Sequence, residues 1–124
     1  MRKRYFDLIE QSFDFPQPEF KLGKDDCLMF HDIDLMALVE KYGTPLKFNY
    51  LPQISNNIKK CKGWFNKAIK ENNYTGDYQF AYCTKSSHFS FILDEVLKND
   101  VHLETSSSYD IDIINHLLET GKLT

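Results

Sequence analysis

Between residues 51 and 119 the apolar side chains switch repeatedly between two spacings, and this switching constrains the fold more than any other feature. Ile54, Ile58, Cys61, Phe65 and Ala68 or Ile69 recur at helical spacing. Residues 78–84 then alternate bulky and small side chains. Phe89, Ile92, Leu93, Val96 and Leu97 return to the helical spacing. Residues 101–105 read as another strand, and Ile111, Ile114, Leu117 and Leu118 make a last helical stripe that Gly121 can close. Helices and strands impose these two repeats on residues that share a face. Strands that alternate with helices pair in parallel and are covered by those helices, so the expected class is α/β.

The first 50 residues are built differently. Phe6, Leu8, Ile9, Phe13 and Phe15 support a short helix that ends before Pro16. Phe20-Lys21-Leu22 and Cys27-Leu28-Met29-Phe30 flank residues 23–26, a pattern of two short strands about a turn. Leu35, Leu38, Val39 and Tyr42 share one helical face, with Asp32 or Asp34 as the cap. Gly43 supplies a left-handed stop and Pro45 prevents continuation. Residues 46–50 are a further strand candidate. The expected division is residues 1–50 and residues 51–124.

Composition excludes several classes. The net charge of −3 over 124 residues argues against a nucleic-acid-binding domain and against a polybasic membrane-surface protein. No apolar run approaches the ~20 residues of a membrane-spanning helix. The first residues carry positive charge with no apolar stretch behind it, unlike a signal peptide. Cys27, Cys61 and Cys83 are widely spaced, which fits reduced thiols and a cytoplasmic setting. The cysteines and histidines show no zinc spacing, so no metal is expected. Lys59, Lys60, Lys62 and Lys67 read as a solvated helix face, and Trp64 and Phe65 as packing residues. Ser106, Ser107 and Ser108 read more readily as a helix cap than as a phosphate nest.

Strand parity locates a chemical candidate. On residues 78–85 one face carries Tyr78, Phe80, Tyr82 and Thr84, and the other Gln79, Ala81, Cys83 and Lys85. The bulky face belongs against helices. On the next strand Val101 and Leu103 face the helices, while His102, Glu104 and Ser106 face away. Lys85 and Glu104 therefore share one face at the carboxyl ends of adjacent strands, where α/β barrels place their chemistry. A lysine partly withdrawn from water there supplies a neutral amine for bonding to an aldehyde.

Around this lysine, Tyr82-Cys83-Thr84-Lys85-Ser86-Ser87 is followed by the helical stripe of residues 89–98 and then by Val101-His102-Leu103-Glu104-Thr105-Ser106-Ser107. Upstream lies Tyr42-Gly43-Thr44-Pro45-Leu46. In this order the three motifs resemble the alanine-racemase-like, fold-type III pyridoxal-phosphate enzymes, in particular their basic amino acid decarboxylases. Ser87 stands where that family usually has Asn, and Cys83 where it commonly has Ala. The resemblance implies that Lys85 bonds the cofactor's aldehyde. It further implies that Glu104 and Asp110 are acids near that amine and that Ser107 contacts the cofactor. Glu at position 104 resembles the biosynthetic arginine decarboxylases.

The resemblance also implies a fold: the N-terminal part of an eight-stranded (β/α)8 barrel, with the strands before it belonging to a second β-domain. Residues 78–84 and 101–105 are then barrel strands one and two, and residues 46–50 belong to the β-domain. The expectation is an N-terminal segment of a homodimeric enzyme that converts arginine to agmatine in polyamine biosynthesis, inactive by itself. Diaminopimelate, ornithine and lysine are the alternative substrates. A non-catalytic cofactor-binding or interaction module is the alternative of another class, and a small complete α/β domain is the alternative architecture.

Overall fold

The computed structural model describes residues 19–123. The chain divides into two compact units, one ending at Phe48 and the other beginning at Asn49. The helix expected before Pro16 lies outside the described residues. In the first unit β1 (Phe20–Leu22) and β2 (Leu28–Phe30) pair antiparallel across a tight turn at Lys24–Asp26, and β3 (Ile33–Asp34) joins the far edge of β2. Phe20 sits opposite Phe30, with ring centroids 4.8 Å apart. Asp34, not Asp32, caps α1 (Leu35–Tyr42): its Oδ1 accepts from the Met36 and Ala37 amides at 2.8 and 3.1 Å. Asp32 instead pairs with Lys21 at 3.0 Å. Gly43 ends the helix at φ 77°, its amide donating to the Val39 carbonyl.

Residues 46–50 form no strand, which corrects the sequence expectation. A strand needs a neighbour to receive its ladder bonds, and this segment has none among the described residues. Phe48 instead packs edge-on against Phe30, at 5.5 Å between centroids.

The second unit follows the strand–helix alternation read from the sequence. Its order is α2 (Leu51–Glu71), β4 (Ala81–Cys83), α3 (Ser90–Leu97), β5 (His102–Glu104) and α4 (Ser108–Glu119). Pro52 lies in the first turn of α2, where its missing N–H costs nothing. β4 and β5 pair in parallel with Ala81 beside His102, Tyr82 beside Leu103 and Cys83 beside Glu104. Ile58 of α2 and Ile92 and Val96 of α3 are buried, and Phe80, Tyr82, Val101 and Leu103 pack on them. The bulky strand face thus meets the helices, while Ala81, His102 and Glu104 are exposed.

Both strands are shorter than their sequence patterns, because two paired strands support a ladder only where they overlap. The architecture of the described residues is a small mixed α/β fold with four helices and two small sheets, and they form no barrel. None of the described helices is long and apolar enough to cross a membrane.

Polar ties fix α2 to the end of α3. Asn99 Nδ2 donates to Ser55 Oγ at 2.8 Å, and Ser55 Oγ donates to the Glu95 carboxylate. Lys62 is not simply solvated, because its Nζ donates to the Asp100 and Asn99 carbonyls at 2.7 and 3.2 Å. Phe65 stacks on Tyr78 at 4.0 Å between centroids while remaining half-exposed. Trp64 does not pack as expected: it is 62% exposed, with the Lys60 ammonium over its ring.

Candidate functional site

β4 runs directly into a single 3-10 turn, Thr84–Ser86, with Lys85 at its centre. Two side-chain hydrogen bonds bracket this turn. Thr84 is fully buried, and its Oγ1 donates to the Glu104 carbonyl of β5 at 3.0 Å. Tyr82 Oη donates to the Ser87 carbonyl, also at 3.0 Å. Lys85 itself is exposed. The partial burial expected from the sequence is not reached, because among the described residues β5 is the one strand beside β4 and the turn follows the end of β4.

The other wall is the start of α4. Ser107 is its N-cap, and its Oγ accepts from the Asp110 amide at 3.3 Å. The Asp110 side chain reaches back: its Oδ2 accepts from the Ser106 and Ser107 amides, each at 2.9 Å, and from Ser107 Oγ at 3.0 Å. This reciprocal box satisfies donors that a helix start leaves open. Asp110 is buried at 4% exposure. The Ser106 amide first, and then the Ser107 hydroxyl and amide, hold its carboxyl below the ordinary range, against the opposing pull of burial.

Lys85, His88, Ser106, Ser107 and Asp110 line one open cleft of about 420 Å³. Glu104 stands just outside it, at the end of β5, where its Oε1 accepts from Ser106 Oγ at 3.4 Å. Three of the four residues singled out from the sequence, Lys85, Ser107 and Asp110, are therefore brought together. Their couplings differ from the expectation. Among the described residues neither Glu104 nor Asp110 forms an ion pair with Lys85. Asp110 commits its carboxylate to the helix start.

This geometry bears on which parts of a phosphate-carrying aldehyde the cleft suits. The exposed Lys85 amine suits the aldehyde. The α4 terminus does not suit the phosphate: the Ser106 and Ser107 amides and the Ser107 hydroxyl are occupied by an ionised Asp110, which would repel a second anion.

Sequence reading missed the structural work of Thr84 and Tyr82. A signal for Thr84 was present, since it shares the helix-facing parity of Tyr82, and a hydroxyl buried there must find an acceptor. Among the described residues no group of three or more His, Cys, Asp or Glu side chains is arranged to hold a metal ion. No protein-family model matches the chain, and no curated protein or solved structure matches it.

Proposed function

We propose that this chain is the lysine-bearing part of a pyridoxal-phosphate-dependent decarboxylase of a basic amino acid, with arginine as the first candidate substrate. On this reading β4 and β5 are the first two strands of an alanine-racemase-like barrel, the first unit belongs to a β-domain, and the complete enzyme is a cytoplasmic homodimer. The observation that carries the reading is the convergence of Lys85, Ser107 and Asp110 on one cleft, at the carboxyl ends of two parallel strands. Such strand ends are where barrels of this kind hold reacting groups.

The bound cofactor supplies an electron sink for the carbon left when carbon dioxide departs. The chain's own residues prepare its attachment. Lys85 presents an exposed amine that no described carboxylate pairs with; condensing with an aldehyde, it would pass its ammonium proton to solvent, form a carbon–nitrogen bond and release the carbonyl oxygen as water. Asp110 and Ser107 hold the opposite wall of the cleft in place. Glu104, on the neighbouring strand end, is the exposed acid next to that wall. The phosphate is assigned to donors other than Ser107.

Titration of wild type and of Lys85→Ala with pyridoxal phosphate, followed by the cofactor's absorbance, tests the reading. A spectral change that depends on Lys85 supports it. Superimposable titrations overturn it. Within the complete enzyme, release of carbon dioxide from arginine, ornithine, lysine and diaminopimelate decides the substrate, and arginine is expected to be fastest.

A further inference from the structure

The turn that carries Lys85 is three residues long, and short isolated turns are ordinarily mobile. This one is tied at both ends, by the side chain of its own first residue and by one from the strand that leads into it. At its first residue the Thr84 hydroxyl bonds the Glu104 carbonyl, a link to β5 across 20 positions of sequence. Just past its last residue the Ser87 carbonyl receives the Tyr82 hydroxyl. Both donors are rooted in the packed layer: Thr84 is fully buried and Tyr82 packs on the core cluster.

We infer that Tyr82 and Thr84 are positioning residues, a two-point clamp that fixes the direction in which Lys85 presents its amine to the cleft. The inference rests on the proposed role of Lys85. Burial pushes the Tyr82 phenol up, so it is a donor at neutral pH. Fixing one orientation of a nucleophile raises its reactivity without any new contact to the ligand. A clamp built from two hydrogen bonds is therefore sensitive to the loss of either one.

The test compares wild type, Tyr82→Phe, Thr84→Val and Thr84→Ser in the 124-residue chain. Thr84→Val keeps the volume and removes the hydroxyl, whereas Thr84→Ser keeps the hydroxyl. The first readout is the rate of the Lys85-dependent absorbance change with pyridoxal phosphate. Tyr82→Phe and Thr84→Val are expected to slow it by about three- to tenfold, and Thr84→Ser to restore most of the Thr84→Val loss.

The second readout is the backbone order parameter of Lys85 and Ser86 by nitrogen-15 relaxation, which needs no cofactor. Wild type is expected near 0.85, with both hydroxyl-deleting variants falling toward 0.6. Unchanged order parameters overturn the clamp, as do rates that fall equally in Thr84→Ser and Thr84→Val. A wild type with no Lys85-dependent change overturns the cofactor reading instead, and the order parameters then decide the clamp alone.

Discussion

Replacing Val96 by Ala is expected to remove about 2–3 kcal/mol of folding free energy. Val96 has no exposed surface and sits with Ile58 and Ile92 at the centre of the second unit. Loss of two buried methyl groups at about 0.8 kcal/mol each gives roughly 1.6 kcal/mol of transfer free energy. The remainder is the cavity. Its walls come from α2, α3 and both parallel strands, and the Asn99–Ser55 and Lys62–Asp100 bonds hold α2 and the end of α3 apart at fixed spacing. A site so braced collapses little, and the cost then exceeds the transfer value.

Few hydrophobic side chains among the described residues are fully buried, so a loss of this size is a large share of the ~5–15 kcal/mol that small domains have. The assay is urea unfolding of wild type, Val96→Ala and Leu118→Ala at equal slope. Leu118 is 48% exposed and its truncation is expected to cost under about 1 kcal/mol. Equal costs for Val96→Ala and Leu118→Ala would refute the reasoning, because they would mean that the α3 face is not packed against the strands.

Further outcomes follow from the α4 cap and its acid. Ser107→Ala is expected to lower stability by about 1 kcal/mol, and Ser107→Gly by a few tenths, both read from the urea midpoint. Asp110 has a folded pKa below its unfolded one, so its contribution is complete above the unfolded carboxylate value of ~3.9 and is lost as pH falls through the lower folded value. Urea midpoints measured from neutral to acid pH should therefore fall less steeply in Asp110→Asn than in wild type. An unchanged slope would remove Asp110 from the acid response.

What could be read from the sequence was the local part of the fold. The helical stripe of α3 and the turn between β1 and β2 depend on neighbours within a few residues. The Ser107–Asp110 box is equally local, a Ser three positions before an acid. The uncapitalised alternatives show where local reading stops. Asp32 and Asp34 are both spaced to cap α1, and Lys21, on another strand, takes Asp32. Residues 46–50 have strand-like composition, but a ladder requires a partner that composition does not encode.

The site divides in the same way. Parity placed Phe80 and Tyr82 on the helix side and Glu104 on the open side, because side-chain direction along a strand is local. The exposure of Lys85 was not legible, since burial at a strand end depends on which elements lie beyond it. For Thr84, parity signals a buried hydroxyl in need of an acceptor, but not which acceptor, since that is a backbone carbonyl 20 residues away. The resemblance places Asp110 near the lysine amine, and its commitment to the helix start instead is enforced by burial, which is a tertiary property.

The central claim is that Lys85, among all the lysines of the chain, is the one that takes the cofactor. The direct measurement is borohydride reduction after brief exposure to limiting pyridoxal phosphate, followed by peptide mapping by mass spectrometry. The account predicts that the adduct concentrates on the peptide containing Lys85, with exposed α2 lysines such as Lys59 and Lys60 modified far less. An adduct spread evenly over the exposed lysines, or one concentrated elsewhere with Lys85 unmodified, would contradict it.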